Sequence, residues 1–99
     1  MSTLQMFWDV QLTSEVKKYS IDFGPFIPTG ASVASGSTSY TQQYNGSASG
    51  TATTSITGGS IATFTAPALT TTGYYLFTTS VTLSDSQVRK ALYGIRVDA

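Results

Sequence analysis

The chain has 99 residues, with five basic and five acidic side chains and a formal net charge of zero. A chain of this length forms one domain with a single core, and its low charge excludes the dense positive surface that non-specific nucleic-acid binding requires. Cysteine and histidine are both missing from the sequence, which excludes disulfide frameworks, thiolate catalysis, histidine zinc sites and Ser-His-Asp triads.

The pattern of apolar residues along the chain predicts short strands separated by turns, and no segment shows the 3.6-residue period of a helix. Glycines and prolines between 24 and 30 predict an irregular connection. Gly36 predicts a turn or bulge between two strands, and Gly58-Gly59 predicts a hairpin turn. The predicted strands in chain order are Leu4–Leu12, Val16–Phe23, Ala31–Ser35, Ser37–Tyr44, Thr51–Thr57, Ser60–Ala66, Gly73–Leu83 and Gln87–Val97.

The last two predicted strands carry the clearest signal for a buried sheet face. Apolar side chains recur at every second position of both strands, opposite a face of hydroxyl and charged groups. The polar stretch 84–86 between them predicts a tight turn. The predicted inward side chains are Tyr75, Phe77, Val81, Leu83, Ala91, Tyr93, Ile95 and Val97.

Seven or eight short strands with turns about every ten residues predict an all-β, immunoglobulin-like antiparallel β-sandwich. Leu69, Gly73 and Tyr75 occupy the spacing of a tyrosine corner, in which a hydroxyl near the start of a late strand anchors the preceding crossover. The alternative is that Tyr75 is an ordinary core aromatic. We assign residues 1–15 to an N-terminal strand or docking arm and residues 16–99 to the sandwich.

Three stretches carry a resemblance to a known family: residues 18–23 (Lys-Tyr-Ser-Ile-Asp-Phe), residues 73–75 (Gly-Tyr-Tyr) and residues 82–87, which lead to Ile-Arg-Val at 95–97. With these motifs the chain resembles the small immunoglobulin-like virion proteins of tailed bacteriophages. Ser86 stands where the family usually has glycine, and Phe23 where tryptophan is common.

The resemblance implies a non-enzymatic accessory protein that decorates a capsid or joins tail and fibre components. The expected partners are other virion proteins, either the major capsid protein or tail and fibre proteins, with many copies or a homo-oligomer on each particle. We expect the protein to be made in the host cytoplasm and to reside in the virion. No cofactor and no nucleic acid is implied. No membrane is expected either, because the start lacks a signal-peptide pattern and no apolar run approaches the roughly 20 residues of a membrane span.

The N-terminal stretch is the predicted docking site for a partner. Leu4, Met6, Phe7 and Trp8 place large apolar groups on both faces of one strand, whereas a strand with one solvated face needs them on only one. A partner that adds a strand or buries aromatic anchors would account for this pattern. The alternative is that both faces pack within the domain.

Catalysis and carbohydrate binding are the two alternatives to a docking function. The spacing of the five acidic residues does not indicate a pair of carboxylates facing each other, which glycoside hydrolysis requires, so we expect no catalysis. Exposed tyrosines among hydroxyl groups favour, as an alternative function of another class, a carbohydrate-binding adhesive module. The tyrosines that would form its binding face are Tyr40, Tyr44, Tyr74 and Tyr93.

Overall fold

The computed structural model describes residues 5–44 and 46–99, with side chains from Trp8 onwards. One 3-10 turn, Gly24–Phe26, accompanies the strands. The strands are β1 (Gln5–Leu12), β2 (Lys17–Asp22), β3 (Val33–Gln43), β4 (Ser49–Thr57), β5 (Ile61–Ala66), β6 (Gly73–Leu83) and β7 (Val88–Asp98).

The strands follow one another in the order β1-β7-β6-β3-β4-β5-β2. The first part of β4, up to Ala52, pairs with β3, and the part from Thr53 pairs with β5. Strand β4 therefore passes from one layer to the other and folds the order into two facing layers. The all-β sandwich predicted from the sequence is confirmed, with one correction: β1 runs parallel to β7, so the strand pairing is mixed and not antiparallel throughout.

The terminal hairpin of β6 and β7 supplies one wall of the core, as predicted. All eight of its predicted inward side chains are buried. Thr79 shares this inward face and is also fully buried, and its hydroxyl lies 2.9 Å from the hydroxyl of Thr38 on β3. Thr54 on β4 donates to the same Thr38 oxygen at 2.8 Å. This row of hydroxyls satisfies its own hydrogen bonds inside the sandwich, which keeps the cost of burying polar groups low.

Aromatic rings join the two layers across the core. Phe64 on β5 stacks on Phe77 of β6 with a centroid distance of 5.1 Å. The rings of Tyr19 and Tyr93 each lie 5.5 Å from that of Phe64. Phe64 therefore contacts both layers at once, because β5 and β6 belong to opposite layers.

The predicted tyrosine corner is present. The hydroxyl of Tyr75, near the start of β6, donates a 2.8 Å hydrogen bond to the carbonyl oxygen of Thr71. Leu69 of the same crossover is buried. The bond ties the crossover to the strand that follows and confirms this feature of immunoglobulin-like sandwiches.

Gly36 does not interrupt β3, and the prediction of two strands in this region is wrong. The strand is continuous, and its irregularity lies between Val33 and Ser35. A β carbon on Gly36 would lie 3.2 Å from Ile56 Cδ1 and 3.3 Å from Val81 Cγ1. The glycine is therefore explained by close packing inside the sandwich, a tertiary constraint that resembles a turn signal in the sequence.

The Gly58-Gly59 hairpin is confirmed. Both glycines have positive φ, 63° and 73°, as a two-residue turn with the handedness of a twisted hairpin requires. The dipeptide Asn45-Gly46 is also typical of a tight turn, and Asn45 lies outside the described residues.

Ser86 in the β6–β7 turn offers a stability test. Its φ is +73°, a left-handed conformation that is unfavourable for a residue with a β carbon. We expect Ser86→Gly to raise the free energy of unfolding by about 0.5–1 kcal/mol, since the relief exceeds the added entropy of the unfolded chain. Thr70→Gly, at an exposed position without a positive φ, should lower the free energy of unfolding by a similar amount. Urea denaturation measures both, and a destabilising Ser86→Gly would contradict the prediction.

Candidate docking surface

Strand β1 exposes apolar side chains and buries a polar one, which is the opposite of an ordinary surface strand. Its apolar side chains Trp8, Val10 and Leu12 point outwards and are 66%, 40% and 50% exposed, whereas Gln11 between them is only 1% exposed. Three large apolar groups in a row on a solvated strand face are unusual, because such patches normally mark an interaction surface. We define the outer face as this outward row together with the outward side of residues 91–98 of β7 and 73–79 of β6, which lie beside it.

Gln11 is stable inside because its amide is paired. The hydroxyl of Tyr19 donates to Gln11 Oε1 at 2.9 Å, and Gln11 Nε2 donates to the carbonyl oxygen of Glu15 at 3.2 Å. Burial raises the pKa of the Tyr19 hydroxyl above its ordinary value, and the negative charge of Asp9 adds to the effect. The hydroxyl therefore remains a donor at physiological pH.

The position of Trp8 depends on a glycine in the neighbouring strand. Trp8 is the register partner of Gly94 on β7. A β carbon on Gly94 would collide with the six-membered ring of Trp8, so the indole ring lies directly over the β7 backbone. The missing side chain at Gly94 thus leaves space for the ring, while two thirds of the Trp8 surface stays exposed.

Next to Trp8 the outer face contains a small cavity, which we call the aromatic pocket. Its volume is about 180 Å³. Tyr44 and Tyr74 meet edge to face beside it, with ring centroids 5.8 Å apart and planes at 84°. The lining residues are Trp8, Gln43, Tyr44, Tyr74, Tyr75 and Leu76.

Tyr44 adopts a costly backbone conformation at the rim of this pocket. Its φ is +68°, a region that bulky residues rarely occupy. Its side chain is 86% exposed, so burial does not compensate for the strain. Strained residues of this kind cluster at binding sites, which makes Tyr44 a candidate binding residue.

The open edge of β1 is covered at one end by side chains. The Asp9 carboxylate accepts from the backbone N–H of Val10 at 2.7 Å, and Lys17 Nζ donates to the Val10 carbonyl at 3.4 Å. Glu15 accepts from the N–H of Leu12 at 2.5 Å. Charged groups of this type discourage uncontrolled pairing of an edge strand with another chain. The outer face is therefore more available to a partner than this part of the edge.

The structure describes the side chain of only one of the four predicted docking residues. Trp8 is exposed on the outer face, as docking requires. Met6 and Phe7 belong to β1, but their side chains lie outside the description, as does all of Leu4. Docking through these four residues stays a prediction.

The tyrosines proposed for a carbohydrate face do not form one surface. Tyr44 and Tyr74 lie together at the aromatic pocket. Tyr40 instead packs on Phe77 at 5.0 Å, and Tyr93 is buried. The proximity of Trp8 to the tyrosine pair was missed, because it depends on the strand order and on Gly94. A glycine at an outward position of β7 is the sequence signal that could have indicated a large group lying over it.

The described residues contain no group of three or more acidic side chains that could hold a metal ion. Nor does any helix among them have the length and apolar character needed to cross a membrane. No family model matches the sequence, and no curated protein matches it either.

Proposed function

We propose that this protein is a non-enzymatic accessory structural protein of a tailed-phage particle, which docks on the head lattice as a capsid decoration subunit. The observation that carries the proposal is the reversed polarity of β1, which exposes Trp8, Val10 and Leu12 while burying Gln11. Large aromatic groups with apolar neighbours are the usual anchors of protein interfaces. The resemblance of the sequence to small virion proteins supplies the setting for this docking face.

The composition supports a docked subunit. Only 10% of the residues are charged and the formal net charge is zero, whereas free soluble proteins normally keep apart through a net charge. The salt bridge on the outer face, between Arg96 and Asp98 at 3.2 Å, is neutral overall. A partner that covers this pair therefore leaves no unpaired charge buried there.

Copy number on purified particles tests the location. Quantitative mass spectrometry should find on the order of hundreds of copies per particle if the protein decorates the capsid lattice, and about a dozen or fewer if it is a tail or fibre adaptor with ring symmetry. A count of zero would overturn the virion proposal. A monomer that is retained on glycans and not on particles would instead identify a carbohydrate-binding module.

Substitutions on β1 test the docking face. We expect Trp8→Ala to weaken binding to particles that lack the protein by at least about thirtyfold, because buried aromatic anchors dominate interface energies. Val10→Thr should weaken it less. Val88→Thr, an exposed apolar residue at the other end of β7, is the matched control and should bind as the parent protein does. Equal binding of all three variants would place the docking surface elsewhere.

A further inference from the structure

We infer that the aromatic pocket receives a proline-containing segment of the partner protein in the extended polyproline II conformation. The inference rests on the proposed docking function and names the chemistry that the outer face recognises. Its evidence is the combination of Trp8, Tyr44 and Tyr74 around one small, uncharged cavity. Grooves lined by aromatic rings are the usual receptors for such segments.

The size of the pocket favours a side chain over a whole small molecule. Its volume of about 180 Å³ is below the roughly 300–1,000 Å³ of small-molecule sites. A cavity of this size accepts one or two side chains of a longer ligand that continues over the surface. No charged residue lines it, so the segment that enters should be neutral and apolar.

The geometry of the rings suits a compact apolar ring. Trp8 is held flat by the backbone at Gly94, and the perpendicular rings of Tyr44 and Tyr74 offer one face and one edge. A proline ring packs against such surfaces. Because proline already restricts the backbone, a polyproline II segment loses little conformational entropy when it binds.

The hydrogen-bonding groups of the pocket suit the carbonyl oxygens of a proline-rich segment. The Gln43 amide nitrogen already donates to Thr41 Oγ1 at 2.8 Å and to the Thr41 carbonyl at 3.3 Å. A proline-rich segment lacks most backbone N–H groups and needs only donors to its carbonyls, which an indole N–H or a tyrosine hydroxyl supplies.

The test titrates the isolated protein with a ten-residue proline peptide. Trp8 is the only tryptophan, so its fluorescence reports on the pocket. We expect a saturable change with a dissociation constant below about 1 mM and amide shifts in NMR spectra confined to β1, the β3–β4 turn and the start of β6. A Gly-Ser peptide of equal length and the oligosaccharide maltoheptaose should produce neither change.

Variants connect the binding to the pocket. Tyr74→Ala should weaken the peptide at least about tenfold, as loss of an aromatic anchor does. Tyr44→Asn should also weaken it, but with an unchanged or higher melting temperature, because asparagine tolerates a positive φ. Val88→Ala serves as the control, with unchanged affinity. For these variants the binding is followed by NMR shifts.

Three results would overturn the inference. They are no response to the proline peptide, a response that the tyrosine variants leave intact, and a saturable response to maltoheptaose in place of the peptide. These measurements use the isolated protein, whereas the proposed function is tested by counting copies on particles. Failure of the proline inference is therefore distinguishable from failure of the proposed function.

Discussion

Replacing Phe64 by alanine is expected to lower the free energy of unfolding by about 3–5 kcal/mol. The side chain is fully buried and lies between the two layers, where its ring contacts Phe77, Tyr19 and Tyr93. The cavity left behind would remove ring contacts from both layers. Since a small domain has a total stability of only about 5–15 kcal/mol, this single change should bring the protein close to unfolding.

Urea denaturation followed by circular dichroism measures the effect. Tyr44→Ala is the matched control, because it removes an equally large ring from a position that is 86% exposed. It should change the stability by less than about 1 kcal/mol. A loss below about 1 kcal/mol for Phe64→Ala would show that the layers do not depend on this ring.

Raising the pH above about 10 is expected to unfold the protein progressively. Burial raises the pKa of Tyr19, Tyr75 and Tyr93 above the ordinary value of about 10, with smaller contributions from Asp9 at Tyr19 and Tyr93 and from Tyr40 at Tyr75. Above pH 10 these hydroxyls ionise in the unfolded chain while they stay protonated in the fold. Their contribution to stability is therefore complete below pH 10 and is lost as the pH rises towards the pKa values of the folded state.

Up to the pKa that it has in the fold, each such tyrosine removes at most about 1.4 kcal/mol of stability per pH unit. Urea titrations at intervals between pH 7 and pH 12 should show that these three groups cause no change of stability with pH below pH 9, and that stability falls above pH 10. Tyr19→Phe should reduce the slope of that fall by one tyrosine's share. Phe64→Leu destabilises without removing a phenol and should keep the slope. A stability that stays flat to pH 12 would contradict the assignment.

The fold was largely predictable because its signals are local. Strict alternation along β6 and β7 assigned the inward residues correctly, and Gly58-Gly59 indicated a turn that only positive φ allows. The spacing of Leu69, Gly73 and Tyr75 indicated a tyrosine corner, with an ordinary core aromatic as the alternative, and the hydrogen bond from Tyr75 to the Thr71 carbonyl confirms the corner. In each case the pattern is contained within about a dozen residues.

The parts that were wrong depend on distant residues. Gly36 was interpreted as a break, yet it is small because Ile56 and Val81 pack over it. The parallel pairing of β1 with β7 joins residues more than 80 positions apart, and neither strand records the direction of its neighbour. The passage of β4 between layers is likewise invisible in a strand with few apolar groups.

The candidate docking site was also predictable only in part. The sequence by itself determined that β1 has two different faces and that Trp8 is its largest apolar side chain. It did not determine which face is inside, because alternation defines two faces without orienting them. Only the tertiary structure decided this: Tyr19 supplies a buried partner for Gln11, and Gly94 leaves space for the Trp8 ring outside. The same packing brings Tyr44 and Tyr74 beside Trp8, and the three rings line the aromatic pocket.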